Sequence, residues 1–215
     1  MILKFKYVDP CDRHNHWSYC ATHQTTNDAY HGNWAKIHID RGHLNPNEVN
    51  NHDPDAQDAT FTMTNVAPQY SRFNEFAWRE YECLVREYIE KYNTNQTHYA
   101  LTGTLGERGW MEGENGQRVK IPAYYWKTVC YKNEKSSWAV AIVAPNLNTE
   151  DKTTEKSFMS INQFSQNFLN DAKVYGAQCQ NAGLGPWKAV IDNLSEWKNK
   201  LNCNFALETN TNNRL

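Results

Sequence analysis

Segments with the two-residue period of strands and the 3.6-residue period of helices follow one another along this chain without a regular βαβ rhythm. That mixture points to an α+β fold with a central, largely antiparallel sheet flanked by helices. Trp34 to Asp40 alternates and reads as a strand, while Asn45 to Asp58 is rich in Asn, Asp and Pro and reads as loop. From Asn74 to Tyr92 the pattern turns helical: Ala77, Tyr81, Leu84, Val85, Tyr88, Ile89 and Tyr92 form one apolar stripe. Tyr99–Thr102 reads as a strand ending at Gly103, and Val119 to Tyr131 pairs with Trp138 to Ala144. Ser160 is placed to cap a short helix carrying Ile161, Phe164 and Phe168. Pro186 suits the first turn of a last helix through Leu201. No repeat or low-complexity linker divides the 215 residues, so the expectation is one domain over 1–207 and a frayed tail over 208–215.

Six cysteines, Cys11, Cys20, Cys83, Cys130, Cys179 and Cys203, are spread along the chain. An even count of this kind fits three disulfides in an oxidising compartment, with fifteen pairings open. Secretion is the corresponding expectation, and the sequons Asn95-Gln96-Thr97 and Asn193-Leu194-Ser195 are compatible with glycosylation. No run approaches the roughly 18 apolar residues of a membrane span. The alternating start, Met1 to Tyr7, lacks the apolar core and cleavage site of a signal peptide, so a mature form or an excised domain is expected. Net charge is -2. A non-catalytic nucleic-acid binder usually needs a broad basic surface, so this balance argues against one. It leaves room for an enzyme with a local basic site.

Chemistry concentrates between residues 40 and 82. Asp40-Arg41-Gly42-His43 is followed by Thr64-Asn65-Val66-Ala67-Pro68-Gln69, then Asn74, then Trp78 and Glu82. Hydrolysis of a phosphodiester needs a base to activate water, a cation for developing charge and help for the leaving oxygen. His43 titrates near neutrality and suits the base. Arg41 offers a planar fork for phosphate oxygens. Asn74 offers a hard carbonyl oxygen suited to magnesium. On a regular helix, residues 74, 78 and 82 share one face. Asn74 and Glu82 are nonetheless about 12 Å apart along its axis. Glu82 is therefore expected to act on a metal-bound water and not on the ion itself.

The pattern resembles the DNA/RNA non-specific endonucleases of the ββα-metal superfamily, the group that contains endonuclease G and the secreted sugar-non-specific nucleases. The carriers are Asp40 to His43, Asn65 with Pro68 and Gln69, Asn74, and Trp78 to Glu82 in register. Leu101-Thr102-Gly103 and Ile121 to Lys127 resemble the family's later strands. The resemblance implies a ββα-metal nuclease fold and a DNA endonuclease with little sequence preference, with RNA as a further substrate. It implies His43 as general base, Asn74 as the direct ligand of magnesium (manganese or calcium being alternatives), and Glu82 behind the water shell. Arg41 and Asn65 would orient site and phosphate, and Asp40 would orient its neighbours. The family also carries an arginine upstream that contacts the scissile phosphate, and Arg13 is the only arginine before Arg41.

Other readings compete. Asn74 is also a good helix N-cap, and Glu82 a solvated helix charge. Cys11-x-x-His14 and Cys20-x-x-His23 have zinc-like internal spacing, although an oxidising compartment favours disulfides there. A zinc-stabilised interaction module and a catalytically degenerate homologue that binds nucleic acid are the alternatives. No membrane partner is expected.

Overall fold

The computed structural model describes residues 2–4, 29–30, 37–92, 95–113, 116, 118–148 and 157–205. Its strands are β1 (Ile2–Lys4), β2 (Ile39–His43), β3 (Val66–Tyr70), β4 (Thr97–Leu105), β5 (Gly109–Glu112), β6 (Arg118–Ile121), β7 (Tyr124–Lys132), β8 (Ser137–Pro145) and β9 (Ser157–Met159). Its helices are α1 (Pro54–Asp58), α2 (Arg79–Tyr92), α3 (Ile161–Phe168), α4 (Ala177–Gln180), α5 (Trp187–Asp192) and α6 (Leu194–Lys200). The fold is α+β. One sheet has the order β1-β4-β7-β8-β9, while β2 pairs with β3 and β5 with β6 in separate two-stranded sheets. Among the described residues, only the β1–β4 pairing is parallel.

The position of β8 follows from its composition. Trp138 to Ala144 are all buried, as a continuous apolar run must be when both faces of a strand are covered. On one face, Val129, Val140 and Ile142 meet the α2 stripe of Tyr81, Leu84, Val85, Tyr88 and Ile89. On the other, Ala139, Ala141 and Val143 meet Ile161 and Phe164 of α3. The start of α3 is fixed by a full capping box between Ser160 and Gln163. A smaller core of Tyr30, Ile39, Met63, Met111 and Ile121 ties β2 to the β5–β6 hairpin.

Two disulfides staple this arrangement. Cys83 on α2 is bonded to Cys203, and Cys130 on β7 to Cys179 on α4. The first closes a separation of 120 residues and pins the C-terminal segment to α2. No described cysteine is free. Cys11, Cys20, His14 and His23 lie outside the described residues, as do Arg13 and the 208–215 tail. Among the described residues, no helix is long and apolar enough to cross a membrane.

Several expectations are corrected. Of the strand expected over Trp34–Asp40, residues 34–36 lie outside the described residues; within those described, the strand begins at Ile39, after His38 with its left-handed φ of 52°. It then runs on through His43, so Arg41 and His43 belong to the strand itself. Its partner is β3, the Val66–Tyr70 segment, with His43 opposite Val66 and Asp40 opposite Gln69. The Asn45–Asp58 loop contains α1, which Asp53 caps by accepting from the backbone N–H groups of Asp55 and Ala56. Val119 to Tyr131 is broken into β6 and β7 at Pro122, which has no N–H for a ladder. The last helix is split at Asn193.

The helix after β3 departs furthest from expectation. Residues Phe73–Trp78 form a π-helical turn, and regular α-helix starts only at Arg79. A five-residue hydrogen-bonded turn is wider than an α-turn. The rise of about 12 Å between Asn74 and Glu82 assumed an α-helix throughout, so it does not apply.

Candidate active site

β2, β3 and the π-turn with α2 form a ββα unit that carries Asp40, Arg41, His43, Asn74 and Glu82, while Asn65 closes the short turn Met63–Asn65 just before β3. Gly42 lets the two strands and the main sheet meet. A Cβ there would stand 2.6 Å from Gln69 Cβ and 2.8 Å from the Tyr125 hydroxyl oxygen. That hydroxyl donates to the Ala67 carbonyl at 2.8 Å, joining β7 to β3. Asn146, fully buried, completes the attachment. Its Oδ1 accepts from the Tyr70 N–H at 3.0 Å, and its Nδ2 donates to the carbonyls of Pro68 and Pro122 at 3.1 and 3.0 Å.

Asp40 links β2 to the helix. Its Oδ1 accepts from the Ser71 hydroxyl at 2.7 Å and its Oδ2 from Asn74 Nδ2 at 3.0 Å. Period-two alternation puts Arg41 and His43 on the opposite side of the strand from Asp40 and Gly42. The Arg41 guanidinium lies over the Tyr30 ring, 5.4 Å from its centroid. Tyr30 is buried, which raises its phenol pKa against the opposing pull of Arg41. His43 meets Phe61 edge-on at 5.4 Å. Burial lowers the His43 pKa below its usual value, so the ring is the neutral, proton-accepting form at neutral pH.

Asn65 holds the chain that leaves His43. Its Oδ1 accepts from the Asn45 N–H at 2.9 Å, and its Nδ2 donates to the carbonyls of Asn45 and Thr60 at 3.0 and 2.9 Å. Its own carbonyl accepts from the Leu44 N–H at 2.8 Å. Both side-chain N–H groups are thus engaged within the protein, where they hold this turn. Glu82 stands farther along the helix, where its Oε1 accepts from Lys127 Nζ at 2.9 Å. Arg13 falls outside the described residues.

These donors fit a hard cation. Asp40 holds the Asn74 nitrogen, which leaves the Asn74 carbonyl oxygen as the atom a cation would meet. Glu82 keeps a second oxygen beyond the one that Lys127 occupies. Amide and carboxylate oxygens suit magnesium, manganese or calcium better than softer metals. Among the described residues no three His, Cys, Asp or Glu side chains are grouped to hold a metal. A cation at Asn74 would therefore keep water for most of its coordination, as magnesium does.

Ser71, Tyr125, Lys127 and Asn146 did not emerge from the sequence as members of the site. Lys127 carried a usable signal: it is a single cation among the apolar residues of Tyr124 to Tyr131, and a buried Lys needs a partner. Asn146 follows Pro145 in no recognisable pattern, and only the tertiary structure reveals its contacts.

An antiparallel strand pair that carries His43, followed by a helix with Asn74 in its first turn, makes up a ββα arrangement. The chain belongs to the DNA/RNA non-specific endonuclease family, whose model matches residues 6–207. It is 37% identical over 95 residues to the mitochondrial endonuclease G of Bos taurus, covering 44% of this chain and 29% of that protein. Human mitochondrial endonuclease G is 36% identical over 95 residues, covering 44% and 30%. A nuclease of Serratia marcescens is 30% identical over 105 residues, covering 48% and 39%. The matched segment thus spans less than two fifths of each of these relatives. Among solved structures, the crystal structure of the EndoG/EndoGI complex shows 23% identity and a TM-score of 0.46, covering 60% of this chain and 54% of that one.

Proposed function

We propose that this chain is a magnesium-dependent endonuclease that hydrolyses phosphodiester bonds of DNA, and of RNA as a second substrate, with little sequence preference. The observation that carries the reading is the Asp40–Asn74 hydrogen bond, which fixes an amide oxygen as a hard donor on the ββα unit that also bears a neutral histidine. His43 accepts a proton from the attacking water, a role that its burial-lowered pKa supports. The Arg41 guanidinium binds phosphate oxygens and counters the charge that grows there. Asn74 would hold the cation through its amide oxygen, and Glu82 would accept hydrogen bonds from water beside it. The chemistry a bound cation would supply there is positive charge at the scissile phosphate and the leaving oxygen. Asp40 and Asn65 are positioning residues, the first for the Asn74 amide and the second for the chain beyond His43.

The disulfides Cys83–Cys203 and Cys130–Cys179 support an oxidising compartment and, with it, secretion. Incubation with supercoiled plasmid and with RNA tests the activity. Magnesium should bring about relaxation and fragmentation at many sites, and EDTA should abolish both. Intact plasmid and RNA after incubation with magnesium, manganese and calcium in turn would overturn the reading.

A further inference from the structure

Lys127 projects from the middle of β7, between Thr102 of β4 and Ile142 of β8. Only 5% of its side chain is exposed, against 23% for Glu82. Its ammonium lies 5.8 Å from the centroid of the Trp78 ring. A lysine so enclosed is retained at a desolvation cost unless its partner is kept in place. That partner is Oε1 of Glu82, at 2.9 Å.

This has a consequence for the carboxylate. Calcium accepts carboxylates in either mono- or bidentate fashion and sheds water readily. Magnesium demands near-ideal octahedral geometry and keeps several waters. A carboxylate with both oxygens free would be suited to closing on calcium. One with a single oxygen free is suited to receiving hydrogen bonds from coordinated water.

We propose that Lys127 is a positioning residue that sets the cation selectivity of the site: by holding one Glu82 oxygen, it keeps the carboxylate from closing on an ion and so favours magnesium over calcium. The inference rests on the metal-site reading given above.

Isothermal titration of magnesium and of calcium, each alone, into the metal-free protein tests this without reference to turnover. In Lys127→Met the magnesium-to-calcium affinity ratio should fall by about 10–100-fold, the size typical of losses in the groups behind metal ligands. The same change made in a Glu82→Gln background should leave the ratio where Glu82→Gln alone puts it. A purely structural lysine would lower the unfolding temperature and weaken both metals in proportion. An unchanged ratio in Lys127→Met that retains its circular dichroism spectrum overturns the proposal. So does an equal change in the Glu82→Gln background.

If Lys127→Met does not fold, Lys127→Arg decides, because it keeps the charge but offers a fork that claims both carboxylate oxygens. Its magnesium affinity should fall to that of Glu82→Gln, and wild-type affinity would contradict the mechanism. If the parent protein binds neither metal, the metal site itself is refuted, and this inference with it.

Discussion

Asn74 Nδ2 donates to Asp40 Oδ2 across 3.0 Å, so a residue in the π-helical turn is oriented by a residue from β2. The other Asp40 oxygen is held by Ser71, just before that turn. Asp40 therefore has no rotational freedom to give, and neither does the Asn74 amide.

Substitutions at these two positions should fail differently. Asn74→Ala removes the proposed ligand, and added magnesium should rescue it poorly. Asp40→Ala leaves the ligand but frees its rotation. Activity should fall by about 10–100-fold and recover in part at high magnesium. Magnesium titrations of cleavage rate for both variants check this. Full rescue of Asn74→Ala alongside no rescue of Asp40→Ala would reverse the assigned roles.

The pH dependence follows from burial of His43. Its pKa lies below the usual 6.5, so the imidazole stays neutral through that pH and takes up a proton only below it. The acid limb of kcat/KM should accordingly fall below pH 6.5. Stability moves in the same direction. Between the lowered value and 6.5 the unfolded chain binds a proton that the fold resists, so stability is lost as pH falls through that window. His98, also lowered mainly by burial, adds to the loss. A kcat/KM profile and urea titrations at several pH values measure both effects. An acid limb centred above 6.5 would contradict the assignment.

Asn146→Ala should destabilise the protein more than its distance from the chemistry suggests. It strands the Tyr70 N–H and the Pro68 carbonyl on β3, and the Pro122 carbonyl between β6 and β7. Unsatisfied buried groups cost about 1–3 kcal/mol each, so a loss of about 3 kcal/mol is expected once partial relaxation is counted. Urea unfolding should show a lower midpoint at unchanged slope. A midpoint equal to the parent's would show that β3 is held by other means.

The disulfides should be formed in protein from its native source. Intact mass without reduction should show no free thiol at Cys83, Cys130, Cys179 or Cys203. Replacing Cys83 and Cys203 together by Ala should cost about 2–5 kcal/mol, since their bond closes most of the chain. Free thiols at these four positions would contradict the oxidised fold and remove the support for secretion.

The candidate site residues stood out in the sequence because they form a compact array with fixed spacing. Asp40, Arg41, His43, Asn74 and Glu82 fall on one ββα unit, with Asn65 in the turn that leads into its second strand. The α2 stripe was legible for a different reason: its period survives from Tyr81 to Ile89. Two features were hidden by their physics. A π-turn over Phe73–Trp78 has no period of its own, since one residue beyond an α-turn leaves the hydrophobic pattern nearly unchanged. The β2 boundary was hidden because the break at His38 is a backbone conformation and not a change of composition. Long-range partners such as Lys127 and Asn146 are set by which strands the sheet brings together. Local sequence carries little of that information.

His43 is the proposed base. Single-turnover cleavage of plasmid by His43→Ala at saturating magnesium tests it most directly, with circular dichroism confirming the fold. The rate should fall by about 10²–10⁴-fold, the usual contribution of a general base, while magnesium affinity stays at the parent value. A folded variant that cleaves within about threefold of the parent rate would contradict the assignment, because no general base is lost at so small a cost.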